Sequence, residues 1–274
     1  MSYGPPTTPP PTAASTAPPT TPPPTDAPTP VPCCIETDRL EQLIRNEVYD
    51  GGDESFDQGP QRSAMEWLRG DTCTCREFCS DLALKQRYVL AVLYFSTNGP
   101  NWNSCSQFAP DCSVQSTFGS GGTANWLTCN SECEWGGNNC RPGLDINATD
   151  MELNGLDGTL PTEMAVLDKL FVFALEQNQL TGPIPPSYGT FSKLRILDFD
   201  FNRLTGPLFD LSGMVKLQQL DLNNNTLTGS IENLGWENTI LKFIDLNTNQ
   251  FTGEIAQEIG DLTELRECYY CQRA

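Results

Sequence analysis

Between residues 144 and 267 apolar and polar positions recur on a fixed beat, Leu-x-Leu-x-x-Asn-x-Leu-x-Gly-x-Ile, whose clearest copy runs from Phe173 to Pro185. The asparagine returns at Asn154, Asn178, Asn202, Asn225 and Asn249, and a glycine keeps step at Gly158, Gly182, Gly206, Gly229 and Gly253. The asparagine spacings are 24, 24, 23 and 24 residues, a period typical of stacked solenoid units. Such a unit cannot bury its apolar face alone and must stack on its neighbours. The first two apolar positions of each copy alternate as on a strand, so Thr149/Met151, Phe173/Leu175, Leu197/Phe199, Leu220/Leu222 and Ile244/Leu246 are predicted to face inward from short parallel strands. The asparagine amide is suited to bridge backbone groups of adjacent coils, and the Leu-x-Gly-x-Ile extension predicts a second strand with glycine at a tight bend. Leu167/Leu170, Phe191/Leu194, Met214/Leu217, Ile240/Leu241 and Leu262/Leu265 are predicted to close each coil through a helical or 3₁₀ turn. Cys268 to Cys271 begins a further unit, giving an α/β right-handed solenoid of about five to six repeats over residues 144–274.

Upstream the beat changes. In residues 33–97 the apolar positions Leu40, Leu43, Ile44 and Val48 lie at helical spacing behind a capping box of Asp38 and Glu41. A second helix opens at Gly59-Pro60 and carries Ala64, Met65, Trp67 and Leu68. A third runs from Asp81 to Phe95 and is stopped by Asn98-Gly99-Pro100. Residues 98–143 have no period and are rich in Asn, Ser, Gly, Trp and Cys. They are predicted to cap the exposed apolar end of the first repeat. Residues 1–32 hold 13 of the 22 prolines and one charge, Asp26. That composition cannot form a packed core and predicts a disordered, polyproline-like lead, either a glycosylated stalk or a passive linker.

Twelve cysteines, with Cys33, Cys34, Cys73, Cys75 and Cys79 in the helical region and Cys105, Cys112, Cys129, Cys133 and Cys140 in the cap, point to disulfides in an oxidising compartment. The spacing of Cys73, Cys75 and Cys79 also suits zinc, but the chain has no histidine and disulfides are preferred. Cys133–Cys140 is the favoured pair, and Cys268 with Cys271 the second. Odd counts in both regions imply a bridge between them if all cysteines pair. The sequons Asn147-Ala-Thr149 and Asn224-Asn225-Thr226 lean toward the same compartment. The start, Met1-Ser-Tyr-Gly, lacks the form of a signal peptide, so the chain is expected to be a piece of a longer precursor or to have a misassigned start. No apolar run is long enough to span a bilayer. The net charge of −19 excludes nucleic acid and anionic membrane surfaces as partners and favours cationic ones.

The repeats resemble the plant-type leucine-rich repeat family, through Leu180-Thr-Gly-Pro-Ile-Pro185, with weaker copies at Leu204–Phe209 and Leu227–Glu232. The Cys133-Glu-Trp135-Gly segment resembles that family's N-terminal cap. The stretches 59–68 and 86–99 are similar to leucine-rich repeat surface proteins of diatoms. The resemblance implies a non-enzymatic recognition or adhesion module, or a receptor-like ectodomain, at the cell surface or outside the cell. A structural cell-wall protein and an inhibitor of a secreted hydrolase stand as alternatives. No kinase motif is present.

Strand alternation also defines the exposed columns. The first is Asp150, Ala174, Asp198, Asp221 and Asp245; the second is Glu152, Glu176, Asp200, Asn223 and Asn247; the third is Leu153, Gln177, Phe201, Asn224 and Thr248. Strands about 4.7–4.9 Å apart bring seven carboxylates onto one small face. Their repulsion calls for water, a divalent cation or a basic ligand. Aspartate in the first column also has a plain structural reading as repeat consensus. The sharper expectation is a binding patch on Glu152, Glu176, Asp198, Asp200 and Phe201, for a cationic protein or polyhydroxylated polysaccharide ligand. No catalytic residue, resident metal or cofactor is predicted, because paired carboxylates need a cleft for glycoside hydrolysis and Cys268-x-x-Cys271 lacks a redox context.

Overall fold

The computed structural model describes residues 37–49, 58–71, 80–118, 121–143, 145–236, 239–254 and 257–269. The predicted disordered lead and the cysteines at 33, 34, 73, 75, 79 and 271 lie outside these residues.

Three helices come first: α1 Thr37–Glu47, α2 Gly59–Gly70 and α3 Asp81–Ser96. The predicted capping box does not form. Helix α1 already includes Asp38 in its first turn, where a carboxylate suits the helix dipole, and Glu41 instead pairs with Arg69 of α2. Helix α3 is capped by Ser80, whose hydroxyl accepts from Ala83 N at 3.1 Å. It ends where Asn98 turns left-handed at φ 60 before Gly99 and Pro100.

The repeats build two sheets. The main sheet has the order β1 (Asn138–Cys140), β2 (Ile146–Asp150), β4 (Val172–Ala174), β6 (Ile196–Asp198), β8 (Gln219–Asp221), β10 (Phe243–Asp245) and β12 (Glu267–Cys268). Strands β2 to β12 of this sheet run parallel, and β1 closes its first edge antiparallel to β2. The second sheet has the order β11 (Gln250–Thr252), β9 (Thr226–Ser230), β7 (Arg203–Pro207), β5 (Gln179–Pro183) and β3 (Asp157–Thr159), all parallel. Every inward position read from the period is fully buried, from Thr149 and Met151 to Ile244 and Leu246. The coil-closing positions differ in two places. At the last of them Leu262 and Leu265 are only half-buried. At the one before, Ile240 is exposed, and Thr239, Leu241 and Trp236 are the buried residues, with Trp236 Nε1 donating to Ile231 O at 2.8 Å.

The asparagine ladder explains why the period survives. Asn178 donates to Met151 O of the preceding coil and to Leu175 O and Glu176 O of its own, while its Oδ1 accepts from Asn154 N and Leu156 N. Asn202, Asn225 and Asn249 repeat the arrangement. Each amide thus satisfies turn groups that a buried coil would otherwise leave unpaired. Asn154 makes the corresponding bonds to Ser104 of the cap. The repeat glycines Gly182, Gly206, Gly229 and Gly253 have φ of 75 to 90, which no side chain adopts comfortably. At Gly158 a Cβ would also strike Ser96 O at the end of α3.

The helices, cap and repeats share one core. Tyr94, Trp102, Trp126 and Trp135 pack in sequence, edge to face at the first two contacts and tilted at the third, with ring separations of 4.9, 5.0 and 5.6 Å. Arg87 is fully buried beside them. It donates to Asp71 at 2.7 Å and to the carbonyls of Thr128 and Asn130 at 3.0 Å, pairs with Glu132 at 3.5 Å, and lies over the rings of Trp67 and Trp135. Gln86 ties α3 to β2 through Ile146 N at 2.7 Å and to Glu132 at 3.1 Å. Buried Glu163 accepts from Tyr49 at 2.8 Å and Gln61 at 2.9 Å, joining the helices to the first repeat. Cys133–Cys140 forms as predicted. Cys105–Cys112 is a pair that spacing did not reveal. Cys129 and Cys268 are also disulfide-bonded. Among the described residues no helix is long and apolar enough to cross a membrane.

Candidate functional site

The register of the main sheet places Asp150, Ala174, Asp198, Asp221 and Asp245 side by side, as the period requires. The face is less open than the sequence suggests. Asp150, Glu176, Asp198 and Asp221 are buried; Glu152, Asp200 and Asp245 are half-buried. The first-column aspartates of the later coils turn back on their own backbone: Asp198, Asp221 and Asp245 accept from the N–H of Asp200, Asn223 and Asn247 at 3.3, 3.2 and 2.9 Å. This is an Asx-type turn, and it supports the structural reading of that column.

The N-terminal end of the ladder is covered by a strap that sequence reading did not find. Ser116 Oγ and Phe118 N donate to Asp150 Oδ2 at 2.6 and 2.9 Å, and Thr117 Oγ1 donates to Glu152 Oε2 at 3.0 Å. Gln115 and Glu152 form an isolated antiparallel bridge. Asp150 is therefore held by the chain itself and is not presented to a ligand. The strap lies in the aperiodic cap, where no spacing announces it. Gln177 Nε2 takes the other oxygen of Glu152 at 2.7 Å.

The centre of the ladder is different. One carboxylate oxygen from each of Asp198, Asp200 and Asp221 lies within 4.8 Å of the other two. Their donors are neutral: Gln219 Nε2 to Asp198 at 3.2 Å, and Asn223 Nδ2 to Asp200 at 3.1 Å and to Asp221 at 2.8 Å. Asp200 Oδ1 is covered and unpartnered. Beside them Glu176, 4% exposed, has no partner for either oxygen. Thr117 eases its charge a little, but that hydroxyl is bonded to Glu152 instead. Desolvation pushes Glu176 up to about 7, with the charge of Asp150 adding to it. Desolvation, then the charges of Asp221 and Glu176, push Asp198 up to about 9. Asp200 rises to about 6 by desolvation and the charge of Asp221. Burial raises Asp150, Asp221 and Asp245 as well.

The third column stands out from its backbone. Leu153, Gln177, Phe201, Asn224 and Thr248 all have φ between 44 and 56, each immediately before a ladder asparagine. Non-glycine residues seldom adopt this conformation, least of all bulky ones. Phe201, next to Asp200, is 52% exposed, and Leu153, beside Glu152 in the first coil, is 46% exposed. Of the predicted concave-face residues Asp150, Glu152, Glu176, Asp198, Asp200, Phe201, Asp221 and Asp245, the structure groups Asp198, Asp200 and Asp221, with the charge of Glu176 bearing on Asp198 and the exposed Phe201 next in sequence to Asp200. Glu152 sits under the strap and Asp245 lies beyond the cluster. The two sequons also differ. Asn147 is partly buried in β2 with Oδ1 covered, and Thr149 is fully buried against Asn138 Oδ1 at 3.0 Å. Asn224 is half-buried in the third column and Thr226 is exposed.

Residues 216–236 match the Leucine Rich Repeat family. With the parallel sheets and the asparagine ladder, that decides the architecture. Residues 216–236 form a leucine-rich repeat, and the coils on either side share its strand and asparagine positions. Over 64 residues the chain is 42% identical to the receptor kinase-like protein Xa21 of Oryza sativa subsp. japonica, a stretch that is 23% of this chain and 6% of that protein. The leucine-rich repeat ectodomain of the receptor kinase SOBIR1 from Arabidopsis thaliana is similar over 67% of this chain and 90% of its own, at 21% identity and TM-score 0.46. The plant peptide hormone receptor RGFR1, solved with RGF2, is 33% identical over 41% of this chain and 18% of its own, at TM-score 0.40.

Proposed function

We propose that the chain is a non-enzymatic, receptor-like recognition module acting outside the cell or at its surface, and that the main-sheet face binds a protein ligand carrying a cationic side chain next to an apolar one. One observation carries this reading: one oxygen from each of Asp198, Asp200 and Asp221 lies within 4.8 Å of the other two, and Phe201, next in sequence to Asp200, is exposed. A guanidinium placed over such a group would meet several acceptors at once, and an exposed aromatic is a common anchor. The repeat segment shared with a receptor kinase supports the receptor-like part. The disulfides support an oxidising compartment. The kinship with diatom surface proteins rests on the segments that form α2 and α3.

The test is a panel of extended synthetic peptides pairing arginine or lysine with an apolar neighbour, against the same peptides with glutamate. The basic set binds, and Asp200→Ala with Phe201→Ala removes that binding. Equal binding by the double variant would place the ligand elsewhere. Binding to soluble wall polysaccharide with no peptide bound would move the reading to a glycan ligand.

A further inference from the structure

We propose that the edge of the solenoid where the chain enters each main-sheet strand binds an acidic polysaccharide, its uronate carboxylates seated along a row of arginine and lysine. The chain has a net charge of −19, yet six of the seven basic residues between 145 and 269 fall at this edge. They are Lys169, Lys193, Arg195, Lys216, Lys242 and Arg266, each beside the leucine that closes its coil. Backbone bonds hold the inner row in register. Arg195 N donates to Phe171 O, Gln218 N to Arg195 O, Lys242 N to Gln218 O and Arg266 N to Lys242 O, all at 2.8–2.9 Å. Glu264 takes the last outer position, so the row is most basic from the first coil to Lys242.

The row is unmatched as well as aligned. Arg195 and Arg141 both lie over the ring of Phe171, their guanidinium carbons 4.3 and 5.3 Å from its centre. Stacking fixes a guanidinium and leaves its N–H fork free for a carboxylate. Arg141, Lys193, Arg195, Lys216 and Arg266 are exposed and form no ion pair among the described residues. Lys242 Nζ donates to the neutral Gln218 at 3.2 Å, and Lys169 pairs with its neighbour Asp168. In a chain with 35 acidic residues this isolation is not for want of carboxylates. Neighbouring strands lie about 4.7–4.9 Å apart, close to the advance per sugar of an extended polysaccharide. An extended peptide, at about 3.3 Å per residue, presents same-side residues about 6.6 Å apart and falls out of step with the coils. Nucleic acid and membranes bring dense charge against the whole acidic body. A single slender chain on the row meets mainly the row, because screening limits a charge's reach to about 8 Å at physiological salt. The row shares no residue with the proposed peptide-binding face, and the inference goes beyond that reading.

The experiment is equilibrium binding of defined-length galacturonic acid oligomers to the full chain, with poly-glutamate of equal charge and neutral dextran run beside them. Arg195→Gln, Lys242→Gln and Phe171→Leu probe the row. Arg203→Gln removes the same charge from the second sheet, where Arg203 is exposed. The expected result is binding of the galacturonic acid oligomers that weakens as salt is added, with poly-glutamate and dextran binding far more weakly. Arg195→Gln and Lys242→Gln should each reduce affinity about tenfold, the loss of one charge-assisted hydrogen bond. Phe171→Leu keeps both charges but frees the guanidiniums, and should reduce affinity severalfold. Circular dichroism of each variant confirms that it is folded. Arg203→Gln should leave affinity unchanged, and Asp200→Ala with Phe201→Ala should not reduce it, which separates this edge from the peptide-binding face. No binding, or equal weakening by Arg195→Gln and Arg203→Gln, would overturn the row. Equal binding of poly-glutamate would assign the edge to an acidic protein segment and overturn the polysaccharide.

Discussion

Two of the places where the molecule buries charge are treated in opposite ways. In the helical and cap region Arg87 is surrounded by two carboxylates, two carbonyls and two indole rings. On the main-sheet face carboxylates are buried against carboxylates, with neutral donors alone between them. A buried charge kept for structure is matched by its surroundings. Among the described residues no lysine or arginine pairs with the acidic centre, and that difference is why we propose it as the binding face.

The comparison breaks most sharply at Arg87. Arg87→Met leaves Asp71 and Glu132 without their cation and should destabilise the fold by about 3–5 kcal/mol, read as a lower denaturation midpoint. Next comes the ladder that holds both regions in register. Asn178→Ala strands carbonyls of two coils and should remove about 2–3 kcal/mol.

The acidic centre should respond to pH in a direction that a matched cluster does not share. Glu176 and Asp198 have folded values of about 7 and about 9, above the about 4 of an unfolded carboxyl. Their contribution to stability is therefore fully present below about pH 4 and is lost as pH rises through 7 and then 9. Chemical denaturation in the presence of a chelator should show this fall, and Asp198→Asn should flatten it. The smallest effect on the fold is at Phe201. Phe201→Ala should change stability by no more than about 0.5 kcal/mol while binding of the basic peptides is lost.

Much of the fold was legible because a single period fixes strand, register and inward face together. That is why Phe173 and Leu175, or Leu220 and Leu222, are buried where the beat puts them. The ladder asparagines were readable for the same reason. The strap at Gln115–Phe118 was not, because it belongs to an aperiodic stretch whose path is set by tertiary bonds to Asp150 and Glu152. Burial of Glu176 and Asp198 was equally hidden, since an outward position on a strand says nothing about what neighbouring columns cover. The left-handed third column had a signal in hindsight: it occupies the position before every ladder asparagine, where the chain leaves the strand. At Ile240 the local pattern was ambiguous, and the packing of Trp236 decided which residue went in.

The central claim is that the acidic centre is retained at a cost to stability because it serves binding. Its most direct test is the thermal midpoint of the triple variant Glu176→Gln, Asp198→Asn, Asp200→Asn against the parent chain, with chelator present and at a pH near 8, above the ordinary carboxyl range. Removing the cost of ionising Glu176 and Asp200 and of keeping Asp198 protonated at this pH should raise the midpoint, by about 2–4 °C for each kcal/mol recovered. A midpoint that is unchanged or lower would contradict the account and return these carboxylates to the structural role of repeat consensus.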